Sequence, residues 1–426
     1  MIPVSTSGSL LVAKRLLLLA IATMLIHGVG GCSLGPKSLL HTRIRYNDAV
    51  KSTSEQQLLL NIVRLRYTDT PSSLAISAIA DQQEIGTSIQ AVPFFTAAGA
   101  GDFGSYGDSI LPQVGLSGVT RPTLSYTPLD DEDFTRRLFT PISLEGVAYL
   151  SKTTWPISTV FRLYLENLNW VSNAETASGP TPSEPPEFAT FLEGITALQN
   201  LQDRNLVTLH TEERTELLRN PVDAASMSAT EAVECIKNDI VIDHTPAGLS
   251  LTRKKRQPVL RVAQIEPNDM DWMRFTNAFH LDPSLHTFDL TYEMLDPYLK
   301  DAPQTGLDRL DFETRSLLQV LFFVSHGIEV PTEHLENHIA PGTCDHNGKW
   351  FDWSQALGGL FRVCSIKSHK KPEHAYVAVR YKDHWFYIDE RDRATKSTFA
   401  LLLEVSRLEL GTPDKQVPIL TIPLGR

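Results

Sequence analysis

Apolar residues recur three or four positions apart in several segments of the chain, which is the spacing of a buried helix face. The segment SEQQLLLNIVRLRY shows this spacing well, and we expect its helix to end before Pro71. Ser52 and Glu55 have capping-box spacing near its start. The same pattern predicts four further helices, at residues 130–139, 144–170 with a break at Pro156, 188–205 and 312–325.

The last of these helices has a signal at each end. Asp311 stands where an N-cap side chain would accept a hydrogen bond from the first turn. Gly327 stands where a helix commonly stops, because glycine tolerates the left-handed conformation found there.

Other segments alternate apolar and polar residues with a period of two, which is typical of strands. This alternation predicts strands at residues 73–80, 84–92 and 122–129, and a further β region that begins at residues 206–210. The basic run Arg253–Arg256 lies between two strand-like segments, LSLT and VLRVA. We interpret the run as the solvated end of a hairpin and not as a binding patch.

The segment HAYVAVRYKDHWFYIDERD, residues 374–392, predicts a β-hairpin whose two-residue turn is Lys382–Asp383. In that register Val379 faces Phe386 and Val377 faces Ile388 on one apolar face. The opposite face is rich in aromatic residues and is a candidate docking surface. Its members are Tyr376, Arg380, Trp385, Tyr387 and Asp389.

Helices and strands alternate irregularly, which predicts an α+β fold. A polar segment rich in proline and serine, residues 173–187, has no apolar periodicity and is predicted to be a linker. The expected organisation is a signal peptide at 1–31, an N-terminal α+β domain at 32–172, this linker, and a C-terminal α+β domain at 188–426.

The N-terminus has the pattern of an export signal. Lys14 and Arg15 precede the apolar run Leu16–Ile26, which is too short to span a bilayer. The run ends in Val29-Gly30-Gly31-Cys32, which resembles the lipobox of bacterial prolipoproteins. The resemblance implies that Cys32 becomes the acylated first residue after cleavage. Several acyl chains on one residue would anchor the protein stably to a membrane.

Ser33 follows the cysteine, and no aspartate stands there to suggest retention at an inner membrane. We therefore expect an outer-membrane lipoprotein that faces the periplasm. Removal of residues 1–31 takes away Lys14 and Arg15 and no acidic residue, so the formal charge of -11 becomes -13. This acidic balance argues against nucleic acid as a partner.

A glycine-rich segment, residues 99–104, matches the GxGxxG pattern of dinucleotide-binding proteins. Such a site needs a helix directly after the glycines, because the helix N-terminus holds the pyrophosphate. The glycines and proline that follow exclude a helix here, so we interpret the segment as a surface loop and predict no cofactor.

The cysteines beyond Cys32 allow two interpretations. Cys344 and Cys364 are close enough in sequence to form a disulfide in an oxidising compartment, which would leave Cys235 over. Alternatively, the His-x3-His spacing of His334 and His338 would place both imidazoles on one helix face. Together with Cys344 and His346 they would form a four-ligand zinc site. The first interpretation predicts no metal.

A third interpretation assigns chemistry to the same cysteine. Cys344, then His374 on one strand, then Asp389 on the next, has an order that resembles the core of transglutaminase-like cysteine hydrolases. The resemblance implies a thiolate nucleophile at a helix N-terminus and a peptide or peptidoglycan substrate. The aromatic residue that flanks the cysteine in that family is missing here.

A resemblance across most of the chain points to binding and not to catalysis. NIVRLRYTDTP, RPTLSYTPLDDEDFTRRLFTPIS and the hairpin are similar to segments of uncharacterised bacterial envelope lipoproteins. We therefore expect a lipid-anchored binding or scaffolding protein with envelope protein partners, and not an enzyme. A cysteine hydrolase is the alternative.

The anchor gives a direct prediction. Substitution Cys32→Ser removes the sulfur that would carry the lipid, so the protein should move from the membrane fraction to the soluble fraction. Fractionation of cells that produce each form measures this change. A serine variant that stays with the membrane would show that the lipid is not the anchor.

Overall fold

The structure is a computed structural model, and it describes residues 34–71, 74–94, 109–128, 132–152, 155–222, 240–245, 248–266, 268–292 and 308–410, with a few positions between 230 and 238. The signal segment, Cys32 and the glycine-rich motif at 99–104 lie outside the described residues. Its helices are α1 (Leu34–Arg66), α2 (Glu132–Phe139), α3 (Leu144–Lys152), α4 (Ile157–Tyr164), α5 (Ala189–Asp203), α6 (Met270–Ala278), α7 (Leu317–Ser325), α8 (Thr332–Glu336), α9 (Ser354–Leu357) and α10 (Arg393–Leu410).

The strands form three sheets within the described residues. They are β1 (Leu74–Phe94), β2 (Ser109–Pro128), β3 (Leu165–Leu168), β4 (Val171–Ser172), β5 (Val207–Val222), β6 (Ile240–Thr245), β7 (Gly248–Val262), β8 (Thr287–Thr291), β9 (Arg309–Thr314), β10 (Cys364–Ile366), β11 (Ala375–Tyr381) and β12 (His384–Asp389). Helices and mixed sheets together confirm the α+β class.

The first helix is longer than its apolar pattern predicts. Helix α1 begins at Leu34, so Ser52 lies inside it and cannot act as an N-cap. The Glu55 carboxylate instead accepts a hydrogen bond of 2.7 Å from the Tyr376 hydroxyl. The helix ends at Arg66, before Pro71 as predicted. No helix in the described ranges combines the length and the apolarity that crossing a membrane requires.

The predicted strands at 73–80 and 84–92 form one continuous strand, β1. It pairs antiparallel with β2 from Leu74 opposite Pro128 to Phe94 opposite Ser109. The predicted strand at 122–129 is the last part of β2.

The largest sheet has the strand order β4-β3-β9-β8-β7-β5, with β6 also paired to β7. Strands β8 and β9 run parallel, and the other neighbours run antiparallel. The basic run Arg253–Arg256 lies in the middle of β7, so its assignment to the end of a hairpin is wrong. Glu216 lies opposite Arg253 and Glu213 opposite Arg256, which places acids beside the bases across the strand pair.

Helix α7 begins later than predicted. Residues 309–314 form β9, and Asp311 belongs to that strand and caps no helix. The N-cap is Ser316, whose hydroxyl accepts from the Gln319 amide in a complete capping box. The end of the helix is confirmed, because α7 stops at Ser325, just before Gly327.

The hairpin of β11 and β12 has the predicted register, with Val377 opposite Ile388 and Val379 opposite Phe386. Lys382 and Asp383 both have positive φ, as a tight two-residue turn requires. A bulge between Ala375 and Val377 then shifts the last pair.

The second face of this hairpin is partly accessible, since Arg380 is exposed and the other predicted members are half-buried. Strand β10 pairs with β12 beside Trp385 and Tyr387, and both side chains are half-buried. Tyr376 bonds to Glu55 of α1 and packs edge-on against Phe399 of α10.

The proline-rich segment at 173–187 does not behave as a free linker. Asn173, Ala177 and Ser178 are buried, and the Asn173 amide donates to the carbonyl oxygens of Arg162 and Leu165. Apolar residues from both sides of the segment share one core cluster. The predicted domain boundary here is therefore not confirmed.

Arg315 explains why this segment is fixed. Its guanidinium is fully buried and lies 4.0 Å over the ring of Phe323. The Nε atom donates to the Ser178 hydroxyl at 2.9 Å. Burial lowers the pKa of Arg315 to about 9, so it remains protonated at neutral pH. The remaining donors bond to backbone carbonyl oxygens, those of Arg162, Leu163, Leu165 and Asn173.

Substitution Arg315→Ala should lower the free energy of unfolding by at least about 3 kcal/mol, because it removes all of these buried hydrogen bonds and leaves a cavity in the core. Urea denaturation measures the change. The control is Arg407→Ala, which removes an exposed arginine whose one ion pair among the described residues is with Glu404, and it should cost less than about 0.5 kcal/mol. Equal losses in the two variants would contradict this role of Arg315.

Candidate functional site

His326 follows the C-terminus of α7, and its side chain is buried. Nδ1 lies 3.3 Å from the carbonyl oxygen of Phe323, and since a carbonyl only accepts, the proton sits on Nδ1. Nε2 therefore carries a lone pair, and no described residue offers it a hydrogen bond. Burial and then the charge of Arg66 lower the pKa of His326 to about 3, so the ring is neutral at neutral pH.

Trp353 lies against this imidazole. The two ring centroids are 4.2 Å apart with an interplanar angle of 35°. Trp353 is itself buried, and its Nε1 donor has no hydrogen-bond partner among the described residues. Its position follows from a local turn in which the Asp352 carboxylate accepts from the Ser354 amide at 2.9 Å.

Arg66, the last residue of α1, is the third member of the group. Its Nη1 donates to the Thr181 hydroxyl at 2.9 Å and to the Pro341 carbonyl at 2.7 Å. Its Nε has no partner within the described part of the chain. Burial lowers the pKa of Arg66 to about 10, which leaves a buried positive charge, and no described carboxylate forms an ion pair with it.

These side chains line one cavity of about 650 Å³, which we call the His326 cavity. Its volume lies within the range of small-molecule sites. Gly327 forms part of one wall and packs closely against Phe361. A Cβ at position 327 would lie 2.5 Å from the Phe361 carbonyl oxygen. The principal lining residues are Arg66, His326, Gly327, Leu335, Trp353 and Phe361.

Carboxylates also line the His326 cavity, but protein groups already bind them. Glu329 accepts from Arg362 Nε at 2.6 Å. Asp392 accepts from the Thr395 amide at 3.0 Å and from its hydroxyl at 2.7 Å. The nitrogens without partners are thus two donors, on Arg66 and Trp353, and one acceptor, on His326. This set suits a ligand that brings an anionic group together with a hydrogen-bond donor.

The structure does not join the members of the predicted catalytic triad by any hydrogen bond among the described residues. Cys344 is not at a helix N-terminus, because it forms a β-bridge with Trp350. Its amide donates to the Ser183 carbonyl at 3.0 Å. His374 is exposed, and Asp389 accepts from the Arg391 amide at 2.8 Å. No helix dipole is therefore available to activate this cysteine.

The predicted zinc ligands are also separated. His338 and His346 are exposed, whereas His334 is buried. Potential ligand atoms come together elsewhere, on Glu333, His334 and His384. Burial and the neighbouring His384 lower the pKa of His334. Of the four residues in the zinc hypothesis, His334 alone belongs to this cluster of the described chain.

The three cysteines that the structure describes, Cys235, Cys344 and Cys364, are all free. The predicted Cys344–Cys364 disulfide is therefore not formed in it. Cys344 lies in the turn beside Trp350, whereas Cys364 lies in β10 opposite Tyr387 of β12. Burial raises the pKa of the Cys364 thiol, which disfavours its reactive thiolate form.

Sequence reasoning did not identify Arg66, His326 or Trp353 as functional residues. Each looked like part of a helix end or of a polar loop, and chain distance gave no reason to group them. The capping box of Ser316 and Gln319 was a readable signal, because it fixes the end of α7 where His326 lies.

Comparisons of the chain with models of protein families, with curated proteins and with solved structures found no match.

The neutral, buried state of His326 predicts a pH effect on stability. A histidine in the unfolded chain has a pKa of about 6.5, so between about pH 6.5 and pH 3 the unfolded state holds one more proton at this residue. The free energy of unfolding should therefore decrease as the pH is lowered through this window. This histidine contributes up to about 1.4 kcal/mol per pH unit to the decrease.

The variant His326→Phe should show a shallower loss of stability between pH 6.5 and pH 4 in urea denaturation. His346→Ala is the matched control, since that histidine is exposed and should leave the slope unchanged. An equal slope in wild type and His326→Phe would mean that His326 is not buried in its neutral form.

Proposed function

We propose that the protein is a lipid-anchored component of the bacterial cell envelope, on the outer membrane and facing the periplasm, that works by binding. The His326 cavity is its ligand site. The lipobox-like sequence at Val29–Cys32 supports the proposed location. The unpaired polar atoms of residues that line the cavity support the proposed binding function.

One observation carries the proposal. Arg66 Nε, Trp353 Nε1 and His326 Nε2 are buried without a hydrogen-bond partner among the described residues, and all three residues line the same cavity. Buried polar groups in folded proteins are nearly always paired, and each unpaired group costs about 1–3 kcal/mol. These nitrogens have almost no accessible surface, so a ligand in the cavity must first displace the side chains slightly. By supplying the missing partners it then recovers this free energy on binding.

The same atoms define the ligand's chemistry. A carboxylate would accept hydrogen bonds from Arg66 and Trp353 and would balance the buried charge of the guanidinium. A neighbouring N–H or O–H would donate to the lone pair of His326. The C-terminal end of a peptide carries both features, because its carboxylate lies next to an amide N–H. We therefore propose that the site takes the carboxylate end of an envelope peptide or polypeptide.

The geometry favours binding over hydrolysis. The three nitrogens donate or accept hydrogen bonds, and none of them activates a nucleophile. Cys344, on which the hydrolase alternative depends, is absent from the residues that line the cavity. Substitution Cys344→Ser should therefore leave ligand binding unchanged, and a loss of peptide cleavage in that variant would favour the hydrolase instead.

The carboxylate preference can be measured with two probes, N-acetyl-alanyl-alanine and its C-terminal amide. Isothermal titration of the purified chain should show the acid binding at least about tenfold more tightly, because the amide loses charge-assisted hydrogen bonds. Trp353→Phe removes the N–H and keeps an aromatic ring, and should weaken binding of the acid about tenfold.

Trp350→Phe is the matched control, since Trp350 is 42% exposed and lies outside the cavity lining. The proposal fails if acid and amide bind equally, or if the two tryptophan variants behave alike.

A further inference from the structure

Glu333, His334 and His384 form a compact group of potential metal ligands, which we call the Glu333 cluster. One ligand atom from each residue lies within 4.8 Å of the others. Glu333 and His334 are neighbours in the short helix α8, and His384 is the first residue of β12. Nε2 of His384 is 3.3 Å from the Glu333 carboxylate. The cluster thus joins two elements that are distant in sequence.

The orientation of each imidazole is fixed by a second contact. Nδ1 of His384 lies 3.2 Å from the Lys382 carbonyl oxygen and therefore carries a proton. Nε2 is the nitrogen that faces the Glu333 carboxylate, and a metal ion would bind there in place of a proton. Nδ1 of His334 lies 2.7 Å from the Tyr67 hydroxyl, which leaves Nε2 as the nitrogen available for a metal. Metal-binding histidines commonly have such a partner on the other ring nitrogen, because it sets the tautomer and the ring angle.

The packing around the cluster also holds it in place. The rings of His334 and His384 are 4.8 Å apart at an interplanar angle of 76°, and both side chains are buried. Tyr67 packs edge-on against His334 and against Phe386. A preformed pair of imidazoles of this kind needs little rearrangement to bind an ion.

A competing cation lies beside the carboxylate. Lys367 Nζ is 3.0 Å from Glu333 Oε1 and 3.3 Å from Oε2. Its side chain is 66% exposed, so it can turn into solvent at small cost. Lys382, the other nearby cation, pairs with Asp69 at 3.7 Å.

We propose that Glu333, His334 and His384 bind a divalent transition-metal ion such as Zn²⁺, and that Lys367 occupies the carboxylate when the metal is absent. Two imidazoles and one carboxylate are a ligand set that zinc accepts, with a fourth position left for water or a further ligand. The bound ion would tie α8 to the hairpin of β11 and β12. This site is separate from the His326 cavity, and neither proposal depends on the other.

The test uses the purified full chain after treatment with a chelator. Calorimetric titration with Zn²⁺ should show one ion bound, and Co²⁺ should give the visible absorption of a low-coordinate imidazole–carboxylate site. His384→Ala and Glu333→Gln should each weaken binding by at least about tenfold, because each removes a ligand. Tyr67→Phe should also weaken it, by about tenfold or more, because it releases the His334 ring.

The controls are His338→Ala and His346→Ala, which remove exposed histidines of the same region and should leave affinity unchanged. Lys367→Met should strengthen binding, because it frees the Glu333 carboxylate. Circular dichroism checks that each variant is folded. The site is refuted if no saturable binding occurs, if a folded His384→Ala binds like wild type, or if the control variants lose as much affinity as His384→Ala.

Discussion

The fold depends on one buried cation, the guanidinium of Arg315. A charge without water is tolerated only where hydrogen bonds replace its hydration. Here they come from the carbonyl oxygens at the junction of α4 and β3, from Asn173 and from the Ser178 hydroxyl. Because Arg315 directly precedes the N-cap of α7, the same contacts fix where α7 starts. His326 at the other end of α7 therefore takes its position in part from a residue that lines neither site.

Local signals in the sequence predicted those elements whose contacts are local. The hairpin around Lys382 and Asp383 follows from its turn and its alternation, and its register is confirmed. The start of α7 could not be predicted from local signals in the same way. Residues 312–314 were assigned to the helix, but they belong to a strand because β3 offers an antiparallel partner from elsewhere in the chain. The proline-rich segment at 173–187 lacks periodicity, yet buried carbonyls and Arg315 hold it in the core.

The candidate sites were less predictable for the same reason. Arg66, His326 and Trp353 meet through tertiary packing, and no spacing rule joins residues so far apart. The zinc hypothesis included His334, but it sought partners nearby in sequence. The structure supplies Glu333 from the adjacent position and His384 from a strand. The hairpin turn brings Lys382 and His384 beside α8. The residues of the turn alone do not indicate this position.

The accessible segment of α1 at residues 43–54 has a geometric consequence for a protein held at its N-terminus. The side chains described from 43 to 54 are exposed or half-buried, and burial begins at Glu55. With a rise of about 1.5 Å per residue, the part of the helix from 34 to 54 is about 30 Å long. If acylated Cys32 rests in the outer membrane, this part of α1 acts as a stalk. The folded body, with the opening of its cavity, would then work at a distance from the lipid comparable to the thickness of the bilayer core.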